Sequence, residues 1–190
     1  MDGMFSYAIS FNQDLDSWDV SSVVDMQQMF KDADAFNNNI STWNVSSVTD
    51  MSNMLWGTEF NQSINNWDVS NVTDMSSMFS YSNFNQNISS WNVSSVTDMS
   101  RMFEGTPFDQ DLSDWNVSSV TDFTNFLLTA ELSTTNYDSL LTGWASLALN
   151  YNLSFHGGNS QYCAGETARN DTLIDIYNWT ITDGGKNCTI

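Results

Sequence analysis

Five aspartates that recur at a nearly constant interval are the residues with the clearest capacity for chemistry. They lie 25, 24, 24 and 24 residues apart, at Asp25, Asp50, Asp74, Asp98 and Asp122. Stacked repeats would place these carboxylates side by side, and Ca²⁺ is held by about six to eight such oxygen ligands. The column therefore suits a calcium site between repeats. The alternative is structural: each aspartate begins a short helical turn and accepts hydrogen bonds from its free N–H groups.

A second polar set follows the tryptophan of each repeat and forms a candidate ligand-binding face. Residues on either side of an inward-pointing valine would point outward from a strand, because successive strand side chains alternate between faces. The set consists of Asp19, Asn44, Asp68, Asn92 and Asn116 together with Ser21, Ser46, Ser70, Ser94 and Ser118. Small polar and anionic side chains of this kind suit a glycan, a cationic patch on a protein or bound Ca²⁺. The structural alternative is a solvated ladder of side-chain hydrogen bonds.

The sequence contains no residue pattern of a known catalytic type. It has one histidine, His156, which excludes metal sites built from several histidines. Neither a G-x-S-x-G nucleophile elbow nor a Walker phosphate loop occurs. Acidic residues are so abundant that no single carboxylate pair indicates glycosidase chemistry. The sequence thus predicts a protein that is not an enzyme and has no cofactor, apart from the calcium hypothesis.

The positions of all these residues are set by an internal repeat. Tryptophan occurs at 18, 43, 67, 91 and 115, and a phenylalanine lies seven residues before each one. One unit reads F-N-x-x-[IL]-x-x-W-[DN]-V-S-[SN]-V-T-D-M-x-x-M-F. This period is too short for propeller blades or helical-pair repeats and falls in the leucine-rich-repeat range of about 20–29 residues. The predicted fold is an α/β repeat, a leucine-rich-repeat-like right-handed solenoid of short parallel strands and short helical turns.

Within each unit, the apolar spacing predicts a strand followed by a helical turn. Trp91 and Val93 alternate as two inward-pointing strand residues, and Met99 and Met102 recur at the spacing of one helical face. We expect the tryptophan column to pack in the core rather than to form a platform for sugars. We expect the methionine pairs to fill the same core rather than to bind a metal.

The chain divides into two predicted regions. Residues 1–131 contain five repeats of 24–25 residues, preceded by a partial repeat at residues 1–10 that matches the second half of a unit. Residues 132–190 lack the repeat and are predicted to form a small α/β cap that closes the solenoid. Both cysteines, Cys163 and Cys188, lie in this cap, where a disulfide is favoured over a metal-binding pair. A disulfide would imply an oxidising compartment outside the cytoplasm.

The charge of the chain limits its partners. It carries 23 acidic and 4 basic side chains, a formal net charge of −19. Nucleic acids and anionic membranes bind to clusters of Lys and Arg, so both are excluded as direct partners. No apolar run approaches the roughly 20 residues that cross a bilayer, and no basic segment followed by an apolar stretch opens the chain. Together with the partial first unit, this predicts a monomeric piece of a longer protein whose targeting signal lies elsewhere.

The repeat unit resembles a short bacterial surface-protein repeat that is known from Mycoplasma-type lipoproteins and from BspA-like leucine-rich-repeat proteins. The resemblance covers residues 1–131. It implies a cell-surface or secreted protein that mediates adhesion or macromolecular interaction through its exposed sheet face, with a protein or glycan on another cell or in a matrix as partner. The alternative is a structural spacer without a ligand of its own, with Ca²⁺ as a candidate stabilising ion. Outward residues that vary between repeats would favour binding.

Overall fold

The computed structural model describes residues 1–189. In this part of the chain the regular elements lie after the repeats. They are helix α1 (Thr134–Ala145), strand β1 (Ser154–His156), a π-helical segment (Ala168–Ile174) and strand β2 (Thr180–Thr182). The repeats themselves are built from tight turns and isolated β-bridges.

Consecutive repeats are joined by parallel backbone hydrogen bonds. An isolated bridge links the aspartates of neighbouring units through the whole column, from Asp25 to Asp50 and on to Asp74, Asp98 and Asp122. After each bridge, alternate N–H groups donate to the next repeat, as from Ser77 to Ser100 at 2.8 Å and from Phe79 to Met102 at 3.1 Å. The register of these bonds equals the sequence period, so that equivalent residues of neighbouring units lie side by side.

The parallel pairing between repeats lies at and after each aspartate, not at the tryptophan–valine segment where the sequence predicts a strand. A strand is expected at Trp91 and Val93, yet the described residues contain none there. Instead, the N–H groups of Trp91 and Val96 each donate to the carbonyl three positions earlier, at 3.1 and 2.9 Å, which closes two successive turns. The side chain of Asn92 also accepts from the N–H of Ser94 at 3.2 Å. Such local bonds from Asn, Asp and Ser side chains compete with strand pairing.

The predicted helical turn after each aspartate is replaced by turns that are not helical. The second variable position of Met-x-x-Met has a left-handed backbone at Gln28, Asn53, Ser77 and Arg101, and so has Asn125 in the Phe-x-x-Phe of the last unit, with φ between 55° and 60°. This conformation costs a non-glycine residue about 1–2 kcal/mol and cannot continue an α-helix. Residues with this conformation also donate their backbone N–H groups to the next repeat, as Ser77 and Arg101 do.

The tryptophan column lies in the core, as predicted. Trp43, Trp67, Trp91 and Trp115 are between 1% and 4% exposed, and the methionines of the same units are fully buried. Each of these four indoles donates to a backbone carbonyl of the preceding repeat, as from Trp91 to Ile64 at 3.1 Å. Backbone carbonyls therefore supply the acceptors that buried indole N–H groups require.

The C-terminal region continues the ladder beyond the last repeat. Phe123 bridges Phe155 of β1, and β1 pairs in parallel with β2. Helix α1 begins after Ser133, whose side chain caps it. Its Trp144 donates from the indole to Leu112 at 3.1 Å and so adds a sixth member to the tryptophan row. The sequence did not indicate this role, because the spacing of Trp144 from the preceding tryptophan departs from the period.

A disulfide between Cys163 and Cys188 ties the end of the described chain to the cap, as predicted. The two residues are separated by 25 positions. In the chain-entropy model, closing a loop of this length stabilises the fold by about 3 kcal/mol. None of the helices in residues 1–189 has the length and hydrophobicity required to cross a membrane.

Helix α1 approaches the last repeat so closely at Gly143 that alanine is expected to destabilise the protein there. An added Cβ would lie 2.3 Å from the carbonyl oxygen of Ser113, which is backbone and cannot swing away. Overpacking of this kind costs about 1–3 kcal/mol, whereas helix propensity alone would favour Gly143→Ala by about 1 kcal/mol. Urea denaturation shows whether Gly143→Ala lowers or raises the free energy of unfolding. The exposed neighbour Thr142 is the control, since Thr142→Ala should change stability by less than about 0.5 kcal/mol. A stabilised Gly143→Ala variant would contradict this packing.

Candidate functional site

The predicted polar face consists of the same side-chain turn repeated five times. In each copy the Asp or Asn Oδ1 accepts from both the N–H and the hydroxyl of the serine two residues later. For Asp68 and Ser70 the distances are 3.1 and 2.6 Å. The same pairing joins Asp19 to Ser21, Asn44 to Ser46, Asn92 to Ser94 and Asn116 to Ser118. The Asp and Asn side chains are exposed and the serines are half-buried. This face therefore reaches solvent, but Oδ1 of each Asp or Asn already accepts hydrogen bonds from the serine of its own turn.

Side-chain hydrogen bonds also connect adjacent repeats along this face. The Ser95 hydroxyl donates to the carbonyl of Ser70 at 2.7 Å, and the Asn71 amide donates to the carbonyl of Ser46 at 2.8 Å. The ten predicted residues therefore do lie along one side of successive units. Their hydrogen bonds serve the turn and the contact between repeats.

Two carboxylates of this face are held in their ionised form. Hydrogen bonds from the hydroxyl and then the N–H of Ser21 lower the pKa of Asp19, and Ser70 lowers the pKa of Asp68 in the same way. A carboxylate with a lower pKa in the folded state stabilises that state above its unfolded pKa. The contribution is lost as the pH falls through the folded pKa.

The aspartate column has a clear structural role. Oδ1 of Asp74 accepts from the N–H of Ser76, and Oδ1 of Asp98 from the N–H of Ser100, both at 2.8 Å. Each carboxylate thus caps the turn that follows it. Within residues 1–189, no three His, Cys, Asp or Glu side chains are grouped as a metal site requires. The hydrogen bonds support the capping interpretation of Asp74 and Asp98, and calcium binding along the column stays a prediction.

Two substitutions at Asp74 separate capping from calcium binding. Asp74→Ala removes the acceptor and is expected to lower the free energy of unfolding by about 0.5–2 kcal/mol. Asp74→Asn keeps an acceptor and removes a charge that repels its neighbours, so we expect stability within about 0.5 kcal/mol of wild type. Urea denaturation with EDTA and with millimolar Ca²⁺ measures both. The capping role would be contradicted if Asp74→Asn were as unstable as Asp74→Ala in millimolar Ca²⁺ but not in EDTA.

A set of residues that differs strongly between repeats lies at a different edge, where Ser80 and Glu104 are buried and the others reach solvent at least in part. At the two positions after Met-x-x-Met-Phe, the partial first unit has Ser6 and Tyr7, the same pair as the third complete unit. In the four complete units with Met-x-x-Met-Phe or Met-x-x-Met-Leu, eight residues occupy these positions. We call them the variable edge: Lys31, Asp32, Trp56, Gly57, Ser80, Tyr81, Glu104 and Gly105. The N–H of Asp32 donates to the carbonyl of Trp56 at 2.9 Å, and the N–H of Tyr81 to that of Glu104 at 2.7 Å. The variable edge therefore runs continuously across four repeats.

Side-chain contacts also follow the variable edge. The Lys31 ammonium lies 5.3 Å from the ring centroid of Trp56, and the rings of Trp56 and Tyr81 meet edge to face at 5.5 Å and 71°. The Tyr81 hydroxyl donates to Glu104 at 2.7 Å, and Arg101 donates to the other oxygen of that carboxylate at 3.2 Å. Glu104 is 4% exposed, whereas Tyr81 is 52% exposed. A buried carboxylate thus holds an exposed ring in place.

A glycine allows the Tyr81 ring to lie on the backbone of the next repeat. Gly105 has φ +67°, and an added Cβ would come within 2.6 Å of the ring carbon Cδ1 of Tyr81. Tyr81 itself has a left-handed backbone with φ 56°. The hydrogen bond to Glu104 raises the pKa of Tyr81. One face of the ring is therefore fixed against protein while the side chain as a whole remains half-exposed.

Comparison with known proteins places the repeats in a family. Residues 1–82 and 45–144 match the profile of a family described as Mycoplasma protein of unknown function, DUF285. The two overlapping stretches cover well over half of the chain. The chain belongs to this family. The predicted Mycoplasma-type repeat is thereby confirmed, and the closer relation to BspA-like proteins stays a prediction. No curated protein and no solved structure gives a significant match.

The DUF285 match ends at the last tryptophan of the row. Residue 144, where the second matched stretch stops, is the indole that donates to Leu112 from helix α1. The matched region therefore includes the first helix after the repeats. The boundary predicted at residue 131 separates repeat from non-repeat sequence, whereas the tryptophan row crosses it.

The chain also has a buried ionic cluster in its C-terminal region, which the sequence did not reveal. Arg169 donates to Asp183 at 2.7 Å, and the Tyr137 hydroxyl donates to the same carboxylate oxygen at 2.9 Å. The Arg169 and Asp183 side chains are 13% and 2% exposed. Burial, and then the charge of Asp183, raise the pKa of Tyr137 well above its usual value. All three groups are engaged with one another, which indicates a structural role.

The variable edge was also missed at the sequence level, although a signal for it exists. In the aligned units the buried positions repeat almost unchanged, whereas the two positions after Met-x-x-Met-Phe change in size, charge and aromaticity. The predicted polar face offers less variety, because it alternates only between Asp and Asn and keeps serine throughout. Scoring the variation at each position of the unit would have identified the variable edge.

Proposed function

We propose that this chain is a non-catalytic repeat protein of the cell surface or a secreted protein, and that it mediates adhesion or macromolecular interaction. Its repeats would stack as a leucine-rich-repeat-like right-handed solenoid related to BspA-like proteins, with the C-terminal region as a cap. The partner would be a protein or glycan on another cell or in a matrix, bound by the chain as a monomer.

The variable edge is the observation that carries this proposal. A chain that only fills space has no reason to alter its outward residues between otherwise uniform units, whereas a binding surface needs different groups at different places. The buried positions of the repeats are nearly constant, and the variable edge carries basic, acidic, aromatic and glycine residues in turn. The Cys163–Cys188 disulfide supports an oxidising, extracellular location.

Retention of coated beads tests the proposed adhesion. Beads carrying the chain and beads carrying albumin are washed under flow over immobilised mucin, fibronectin and collagen. The proposal expects more of the chain-coated beads to be retained on at least one of these surfaces. Equal retention on all three would contradict it and would favour a spacer.

A structural spacer is the second candidate, and the uniform polar face favours it. Five identical side-chain turns with hydrogen bonds between adjacent repeats make a regular surface that needs no ligand. In this alternative Ca²⁺ bound along the aspartate column would stiffen the spacer. A higher melting temperature in millimolar Ca²⁺ than in EDTA, together with no bead retention, would favour it over adhesion.

A further inference from the structure

We propose that the variable edge is a saccharide-binding surface on which sugar rings stack against Tyr81 and Trp56. This inference rests on the proposed binding function and names both the surface and the chemical class of the partner. It differs from the polar face that the sequence predicts, which lies on the tryptophan–valine turns of each repeat.

The two aromatic rings provide the stacking surface. Trp56 and Tyr81 lie on adjacent repeats, 5.5 Å apart between centroids, and their planes meet at 71°. Tyr81 is 52% exposed and Trp56 is half-buried, although most aromatic residues of the repeats are buried. An aromatic ring combines an apolar face with a polar edge, and a sugar ring offers an apolar C–H face to stack on it.

Preorganisation of Tyr81 favours a ligand site over a chance exposed ring. Its hydroxyl is held at 2.7 Å from the Glu104 carboxylate, and Arg101 donates to the same carboxylate. Glu104 is 4% exposed, so a buried charge has been retained here with both oxygens engaged. The Gly105 backbone leaves room for the ring. A ring fixed in this way loses little conformational entropy when a ligand binds.

The charged groups around the rings favour a hydroxyl-rich ligand. Lys31 and Arg101 are two of the four basic residues in the chain, and Asp32 and Glu104 balance their charge. The variable edge with Arg101 therefore has two basic and two acidic side chains, although the nearby Asp34 adds negative charge beside Asp32. The Lys31 ammonium and the Arg101 guanidinium can donate hydrogen bonds to sugar hydroxyls, and the Asp32 carboxylate can accept them.

The size of the aromatic patch argues against a protein partner. Two aromatic side chains contribute about 300–500 Å² even when they are fully covered. A stable protein interface needs about 800 Å² on each partner. A few sugar units, by contrast, can be held by two rings and the polar groups beside them.

Calorimetric titration with defined sugars tests the inference. The probes are cellohexaose, chitohexaose and a hyaluronan hexasaccharide, added to the wild-type chain. Trp56→Ala and Tyr81→Ala remove one ring each, and we expect the Kd of the bound sugar to rise about tenfold or more in each variant. Tyr151→Ala is the matched control. Tyr151 is 60% exposed, belongs to the C-terminal region rather than to the variable edge, and its ring centroid lies 5.2 Å from that of Tyr177. Asn92→Ala tests the polar face, and thermal unfolding confirms that each variant is folded.

The outcomes separate this inference from the proposed function. A sugar that loses affinity in the Trp56 and Tyr81 variants but not in the Tyr151 and Asn92 variants supports the assignment. Loss only in Asn92→Ala would overturn it and leave adhesion through the polar face. If none of the three sugars binds while chain-coated beads are retained equally well with Tyr81→Ala, the inference fails and the proposed function stands. If neither sugars nor surfaces are bound, both fail.

Discussion

Trp91→Ala is expected to lower the free energy of unfolding by about 3–5 kcal/mol, the usual cost of deleting a large buried aromatic side chain. Trp91 is 3% exposed, and its ring stacks against Trp67, at 6.4 Å, and Phe79, at 6.3 Å, both in the preceding repeat. Its indole also donates to the carbonyl of Ile64 in the preceding repeat at 3.1 Å. The substitution therefore opens a cavity and removes one link between two repeats.

The same substitution in the first repeat supplies the control. Trp18 occupies the equivalent position but is only half-buried, so Trp18→Ala should cost clearly less than Trp91→Ala. Chemical denaturation followed by far-ultraviolet circular dichroism measures both. Equal losses at the two positions would show that burial along the tryptophan row does not determine stability.

Asp183→Ala is expected to cost about 3–5 kcal/mol, because it leaves a mostly buried cation without its partner. Arg169 donates to Asp183 at 2.7 and 3.3 Å, and Tyr137 and the N–H of Gly185 donate to the same carboxylate at 2.9 and 3.0 Å. Among residues 1–189, none of the remaining contacts of Arg169 supplies a charge to replace the carboxylate. The C-terminal region should therefore unfold first in this variant.

A surface ion pair of the same region is the matched control. Lys186 and Glu166 lie 2.6 Å apart, with side chains 49% and 42% exposed. Glu166→Ala should cost at most about 1 kcal/mol, because solvent screens exposed pairs. The double variant Arg169→Met/Asp183→Leu should recover much of the loss, since no charge is left unpaired. If Asp183→Ala were as mild as Glu166→Ala, burial of this pair would not matter for stability.

The repeat period was sufficient to predict the core. Residues such as Trp91 and Met99 recur at fixed positions, and stacking identical units is the way in which all of them become buried at once. The disulfide could be predicted because Cys163 and Cys188 are the only two cysteines in the chain. Both inferences depend on composition and spacing, which the sequence displays directly.

Backbone geometry within the repeat could not be predicted in the same way. The alternation of Trp91 and Val93 fits a strand equally well, but two backbone turn bonds and the side-chain bonds from Ser94 to Asn92 form turns here. The left-handed backbone at Ser77 and Arg101 has no counterpart in hydrophobic periodicity, because these residues are not glycine. Here contacts between repeats outweigh local propensity.

Contacts between distant, unrepeated residues were also hidden. Arg169, Asp183 and Tyr137 come from separate segments, and nothing in their spacing indicates that they meet. The row formed by Lys31, Trp56 and Tyr81 depends on the register of the backbone ladder. The variability of these positions can be read from the sequence, whereas the contacts between their side chains depend on the fold.

The equality between ladder register and sequence period has an evolutionary consequence. Excision of residues 60–83, one complete unit, would bring matching donors and acceptors together again, since the unit that follows repeats the same pattern. Duplication of a unit would be tolerated for the same reason. Such an excision would nevertheless delete Tyr81 and so change the exposed surface. Gain or loss of whole units can thus change the exposed residues while the buried residues and the hydrogen bonds between repeats stay the same.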